Sequence, residues 1–146
     1  SLEHEGMRFT ARAAGEGPLV LMLHGFPDDF HSFDAQIEAI AAQGYRVVAP
    51  MMRGYESSSC SPRDLYHLIH LASDVFAWMK LLKAKQCHLV GHDWGALTAY
   101  VAVALQPKKF VSLTTRSARG SGRACSVGKV RLHPSDAVSE SLRVDC

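Results

Sequence analysis

Gly91-His92-Asp93-Trp94-Gly95 constrains this chain more than any other stretch. Before it, Cys87-His88-Leu89-Val90 is a short apolar run suited to a buried strand, and after it residues 96–105 read as a helix with little polar content. A glycine two places to either side of a central residue permits a tight, strained turn from strand to helix. The central side chain then projects alone while the helix packs close to the sheet. Here the central residue is an aspartate. Aspartate is also a favoured helix N-cap, so the motif alone leaves two readings, a cap or a nucleophile.

A second motif favours the nucleophile. Leu19-Val20-Leu21-Met22-Leu23 reads as another buried strand and runs into the loop His24-Gly25-Phe26-Pro27. A third strand and loop follow in Gly44-Tyr45-Arg46-Val47-Val48-Ala49-Pro50 and Arg53-Gly54-Tyr55. In order and spacing the three stretches resemble the α/β-hydrolase superfamily, in particular the branch with an aspartate nucleophile that includes epoxide hydrolases and haloalkane dehalogenases. The resemblance runs from about residue 5 to Thr115. It implies an α/β architecture, a mostly parallel sheet flanked by helices. It also implies Asp93 as nucleophile, with the backbone N–H groups of Phe26 and Trp94 as oxyanion donors. Arg53 matches an arginine common in the family's loop, whereas Met51 stands where many relatives carry aspartate.

A carboxylate nucleophile is already ionised at neutral pH and needs no base to remove a proton, which suits displacement at a saturated carbon. The product is an ester on Asp93. Its hydrolysis by a histidine-activated water builds negative charge on an aspartate oxygen, where the two N–H donors and the positive end of the following helix would meet it. The resemblance implies a small-molecule substrate and no cofactor. Phe26 fits the epoxide-hydrolase side better, while the Trp94 indole is a residue that dehalogenase relatives use to hold a departing halide. Epoxides are therefore the expected substrate class, and a haloalkane or haloacid dehalogenase is the alternative. A non-catalytic fragment or interaction module is the reading from another class.

Length bears on how much of such an enzyme is present. Sheets of this kind commonly take roughly 200–250 residues as one domain, and this chain has 146. The expectation is an N-terminal part of the core over residues 1–115 and an unrelated, disordered tail over residues 116–146, inactive by itself. The family's water-activating histidine and its acid partner come later, and nothing after Thr115 matches them. His133, Asp136 and Asp145 have no strands to position them. The tail holds six Lys/Arg against three Asp/Glu and the remainder ten against eleven, so the core is near neutral and does not advertise a nucleic-acid partner. No apolar run reaches the roughly 18 residues of a membrane span. Cys60, Cys87, Cys125 and Cys146 lack CxxC spacing and read as reduced thiols in a cytoplasmic protein.

Periodicity supplies the remaining elements. Residues 5–11 with the turn at residues 15–18 predict a hairpin edge leading into the strand at 19–23. Phe33, Ile37, Ile40 and Ala41 recur at helical spacing before Gly44. A longer helix places Leu65, Leu68, Ile69, Ala72, Val75, Phe76, Met79 and Leu82 on one face, and residues 110–114 read as the last strand. Ser57-Ser58-Ser59 reads as a solvated turn. His24 and His92 read as structural. His67, His70 and Asp74 share a spacing that metal sites use, but they read as a solvated helix face. A sheet ending at residues 110–114 would leave an unpaired edge prone to self-association.

Overall fold

The computed structural model describes residues 1–116 and 128–131. Strands β1 (Leu2–His4) and β2 (Met7–Phe9) form a small antiparallel hairpin. The main sheet contains β3 (Ala11–Ala14), β4 (Leu19–Leu23), β5 (Arg46–Pro50), β6 (Cys87–His92), β7 (Phe110–Arg116) and β8 (Gly128–Arg131), in the spatial order β3-β5-β4-β6-β7-β8. The four central strands run parallel, and β3 and β8 lie antiparallel at the two edges. Helices α1 (Asp34–Ala41), α2 (Leu68–Leu81) and α3 (Trp94–Leu105) complete the described elements, with short 3-10 turns at Phe30–Phe33, Ser57–Ser59 and Pro107–Lys109.

The sheet is buried on both faces where the helices cover it, so its central strand is apolar throughout. All five residues of β4 are buried. Because alternate side chains point to opposite faces, Leu19, Leu21 and Leu23 join Leu89 and Leu113 under α2 and α3. Val20 and Met22 join Val47, Ala49, Phe33 and Ile37 under α1. On α2, fully buried Trp78 meets Phe9 of the hairpin edge-on with ring centroids 5.1 Å apart, which ties β1 and β2 to the body. This is the α/β sheet flanked by helices that the motifs imply.

Four local expectations are corrected. The early hairpin turns at Glu5 and Gly6 rather than at residues 15–18, and β3 pairs with β5, because both edges of β4 are taken by parallel neighbours. On α2 the inward face is Leu71, Ala72, Asp74, Val75, Trp78 and Met79, while Ile69 is exposed. Ser59 is buried: its hydroxyl donates to the carbonyl oxygens of Met52 and Glu56, closing the turn from inside. The edge of β7 carries β8, with Ser112 opposite Arg131 and Thr115 opposite Gly128. Most of the expected tail, including His133, Asp136 and Asp145, lies outside the described residues.

Candidate active site

Asp93 occupies the turn between β6 and α3 with φ 51° and ψ −115°. A non-glycine residue at positive φ is uncommon and costs on the order of 1–3 kcal/mol, so the surroundings must hold it. They do so through the backbone. The Asp93 N–H donates to the Arg116 carbonyl at 3.0 Å, and its own carbonyl accepts from Ala96 and Leu97 at 3.0 and 3.2 Å. Its side chain makes no capping hydrogen bond to α3. Instead, Oδ2 accepts from the backbone N–H of Phe26, 3.1 Å away in the loop after β4. The geometry is therefore not that of an N-cap, although the position in sequence allows one.

Two glycines are required by close approach. A Cβ on Gly95 would collide with the carbonyl of Leu23, so α3 rests directly on the end of β4. A Cβ on Gly25 would lie 2.5 Å from the Asp93 Cβ and 2.9 Å from its Oδ2. The loop and the elbow can meet only because Gly25 has no side chain. Trp94 opens α3, and first-turn N–H groups have no intrahelical partner, so its amide is a donor beside the aspartate. The Trp94 and Phe26 side chains stand exposed at 47% and 68%, flanking an accessible carboxylate.

The polar neighbours separate into two groups. His24 is fully buried, with Nδ1 3.0 Å from the Gly25 carbonyl and Nε2 accepting from the Met52 N–H at 2.9 Å. Burial holds its imidazole below the usual histidine range, against the pull of Asp29 and Asp28. Tyr55 packs edge-on against His24 at 4.5 Å, and burial followed by the charges of Asp93 and Asp28 pushes its phenol upward. The half-buried His92 faces Asp28, with Nδ1 3.6 Å from Oδ2.

Farther off, Arg53 is buried and grips Asp74 with two nitrogens, Nε at 2.8 Å and a terminal nitrogen at 2.7 Å. It also donates to the Leu65 carbonyl and to Glu5. Asp74 is therefore removed from any metal-binding face with His67 and His70. Among the described residues no cluster of three His, Cys, Asp or Glu side chains is arranged to hold a metal ion. The sequence carried a signal that went unread: Asp74 falls between Leu71 and Val75 on the apolar stripe, where a charged residue needs a buried partner. Asp28 and Tyr55 carried no such signal, because each neighbours the site only through the fold.

Comparison with known proteins places this geometry. Residues 18–139 match the family described as alpha/beta hydrolase fold, a stretch that continues past the boundary expected at residue 115. An epoxide hydrolase from Caballeronia sordidicola is 43% identical over 107 residues, which is 72% of this chain and 32% of that protein. Epoxide hydrolase B of Mycobacterium tuberculosis is 40% identical over 109 residues, 74% of this chain and 31% of the relative. In structure, an epoxide hydrolase from Vigna radiata superposes with a TM-score of 0.72 at 37% identity, covering 76% of this chain and 36% of the other. A mutant epoxide hydrolase from Solanum tuberosum gives 0.70 at 34% identity, with coverage of 75% and 36%. The chain spans about a third of the length of these relatives. With Asp93 at the strand-to-helix turn of the sheet that the family match describes, the chain belongs to the α/β hydrolase fold family.

Proposed function

We propose that this chain carries the nucleophile half of an epoxide hydrolase. Asp93 attacks an epoxide carbon, the C–O bond opens to leave an alkoxide on the neighbouring carbon that takes a proton from solvent water, and an ester joins Asp93 to the substrate. The observation that carries this reading is the Asp93 carboxylate, held at positive φ, free of capping and met by the Phe26 N–H at 3.1 Å. The Phe26 and Trp94 amides then serve the oxygen that becomes negative when the ester is hydrolysed. The identity to proteins named epoxide hydrolases favours an epoxide over a halogenated substrate, so dehalogenation is the second reading. No metal is needed, because the nucleophile is a side chain rather than a metal-bound water. Cytoplasmic placement belongs to the same proposal. Its supports are free Cys60 and Cys87 and, among the described residues, the lack of a helix long and apolar enough to cross a membrane.

Turnover is expected to stop at the ester in the 146-residue chain. His24 spends both ring nitrogens on backbone groups, so it is not set to activate water. Incubation with a reactive aryl epoxide, rapid quench and mass spectrometry should find a substrate-sized adduct on the peptide carrying residues 91–96. Asp93→Asn should abolish it, and dialysis against a chelator should leave it unchanged. An adduct on another peptide would sink the Asp93 assignment, and steady multiple turnover would overturn the expected stop at the ester.

A further inference from the structure

One peptide group at the site is held at both ends. The carbonyl of Gly25 and the N–H of Phe26 belong to the same planar unit. Its oxygen lies 3.0 Å from His24 Nδ1, and its N–H donates to Asp93 Oδ2 at 3.1 Å. The proton on the imidazole can be placed. Met52 donates its N–H to Nε2 at 2.9 Å, so in the neutral ring the single proton sits on Nδ1 and points at the Gly25 oxygen. A continuous chain of donation runs from Met52 through His24 and the Gly25–Phe26 peptide to the Asp93 carboxylate. Tyr55, edge-on at 4.5 Å, covers the His24 ring, which is fully buried.

We propose that His24 is a positioning residue for the chemistry at Asp93: by gripping the Gly25 carbonyl it orients the Phe26 N–H toward the aspartate and makes it a stronger donor. The role rests on the reading of Asp93 as nucleophile and deepens it. Hydrogen bonding at a peptide's oxygen polarises its N–H, so successive bonds in such a chain reinforce one another. An N–H aimed before charge develops needs no reorganisation when the oxygen becomes negative. Protonation of His24 would break the chain, because a proton on Nε2 would face the Met52 N–H, donor against donor. Burial opposes that protonated state.

The test is nitrogen-15 NMR of the labelled chain with three variants. In the native protein near neutral pH, His24 should be neutral with its proton on Nδ1; a ring protonated at Nε2, or at both nitrogens, overturns the role without any variant. His24→Asn keeps an amide nitrogen near the place of Nδ1, whereas His24→Gln puts one near Nε2. The Phe26 amide should exchange with solvent about tenfold faster in His24→Ala and His24→Gln, and stay close to native in His24→Asn. Unchanged amides along β7 report that the fold is intact. Gln matching native while Asn does not would mean that His24 only fills space, and would overturn its positioning role. These readouts do not depend on turnover: a missing adduct on Asp93 removes the nucleophile reading, while the ring proton and the Phe26 amide decide what His24 does.

Discussion

Two carboxylates near the sheet sit in opposite company. Asp74 is buried against Arg53 through two short bonds, with Glu5 on the same guanidinium and His4 Nε2 3.8 Å away. Burial pushes its carboxyl upward against the pull of Arg53. Arg53 is lowered by burial, yet Asp74 and Glu5 together hold it above its usual value. Asp93, by contrast, meets a backbone N–H, and its cationic partner is nowhere among the ion pairs of the described residues. An opposite charge in bidentate contact engages both carboxylate oxygens and makes each a poorer nucleophile. A single neutral donor steadies the charge and leaves the other oxygen available. The first arrangement locks the hairpin and the loop after β5 onto α2; the second leaves a carboxylate oxygen open, as the role proposed for Asp93 requires.

The largest break in this contrast is Arg53→Ala. It strands Asp74 in the core and should cost about 3–5 kcal/mol of stability in denaturant titration, enough to threaten folding. A loss below about 1 kcal/mol would mean that the pair is solvated rather than buried. Gly25→Ala tests the other region. Its methyl would meet Asp93 Cβ at 2.5 Å, so it should cost about 1–3 kcal/mol and remove the epoxide adduct while Arg53 and Asp74 stay paired.

Acid titration should separate the two regions by pH. His24 has a folded value below its unfolded one, so the unfolded chain binds more protons between them and stability falls as pH drops below about 6.5. For Glu5, burial opposes ionisation, yet Arg53, His4 and Arg63 hold its carboxyl below the usual value. Its contribution is full above the unfolded carboxylate value and is lost as pH falls through the folded one, a lower window. His24→Asn should flatten the upper limb and Glu5→Gln the lower, the latter by up to about 1 kcal/mol. The smallest effect belongs to Asp28→Asn. Its partly exposed contact with His92 should change stability by a few tenths of a kcal/mol, measured as a shift in denaturant midpoint.

Much of the fold was legible because its strands are buried on both faces. Leu19–Leu23 and Arg46–Pro50 announce themselves as apolar runs, and the elbow by two glycines around Asp93. The first hairpin was misread because turn residues at 15–18 mark a change of direction without saying which strand becomes the neighbour. Asp74 was misread because helical spacing shows which residues share a face, and burial decides whether that face is wet or dry. Ser59 was misread for the same reason: a serine-rich stretch looks solvated until one hydroxyl finds two carbonyls inside.

The sequence by itself determined the order of strands and helices, the position of Asp93 at a strained turn and the identity of its neighbours in the chain, because local spacing and backbone sterics act over a few residues. Only the tertiary structure decided that Phe26, 67 positions away, aims its N–H at that carboxylate, that His24 holds the same peptide from behind, and that Arg53 claims Asp74. Those contacts depend on parallel strands bringing distant loops to one end of a sheet. Hydrogen bonds of about 3 Å demand a precision that no pattern along the chain encodes.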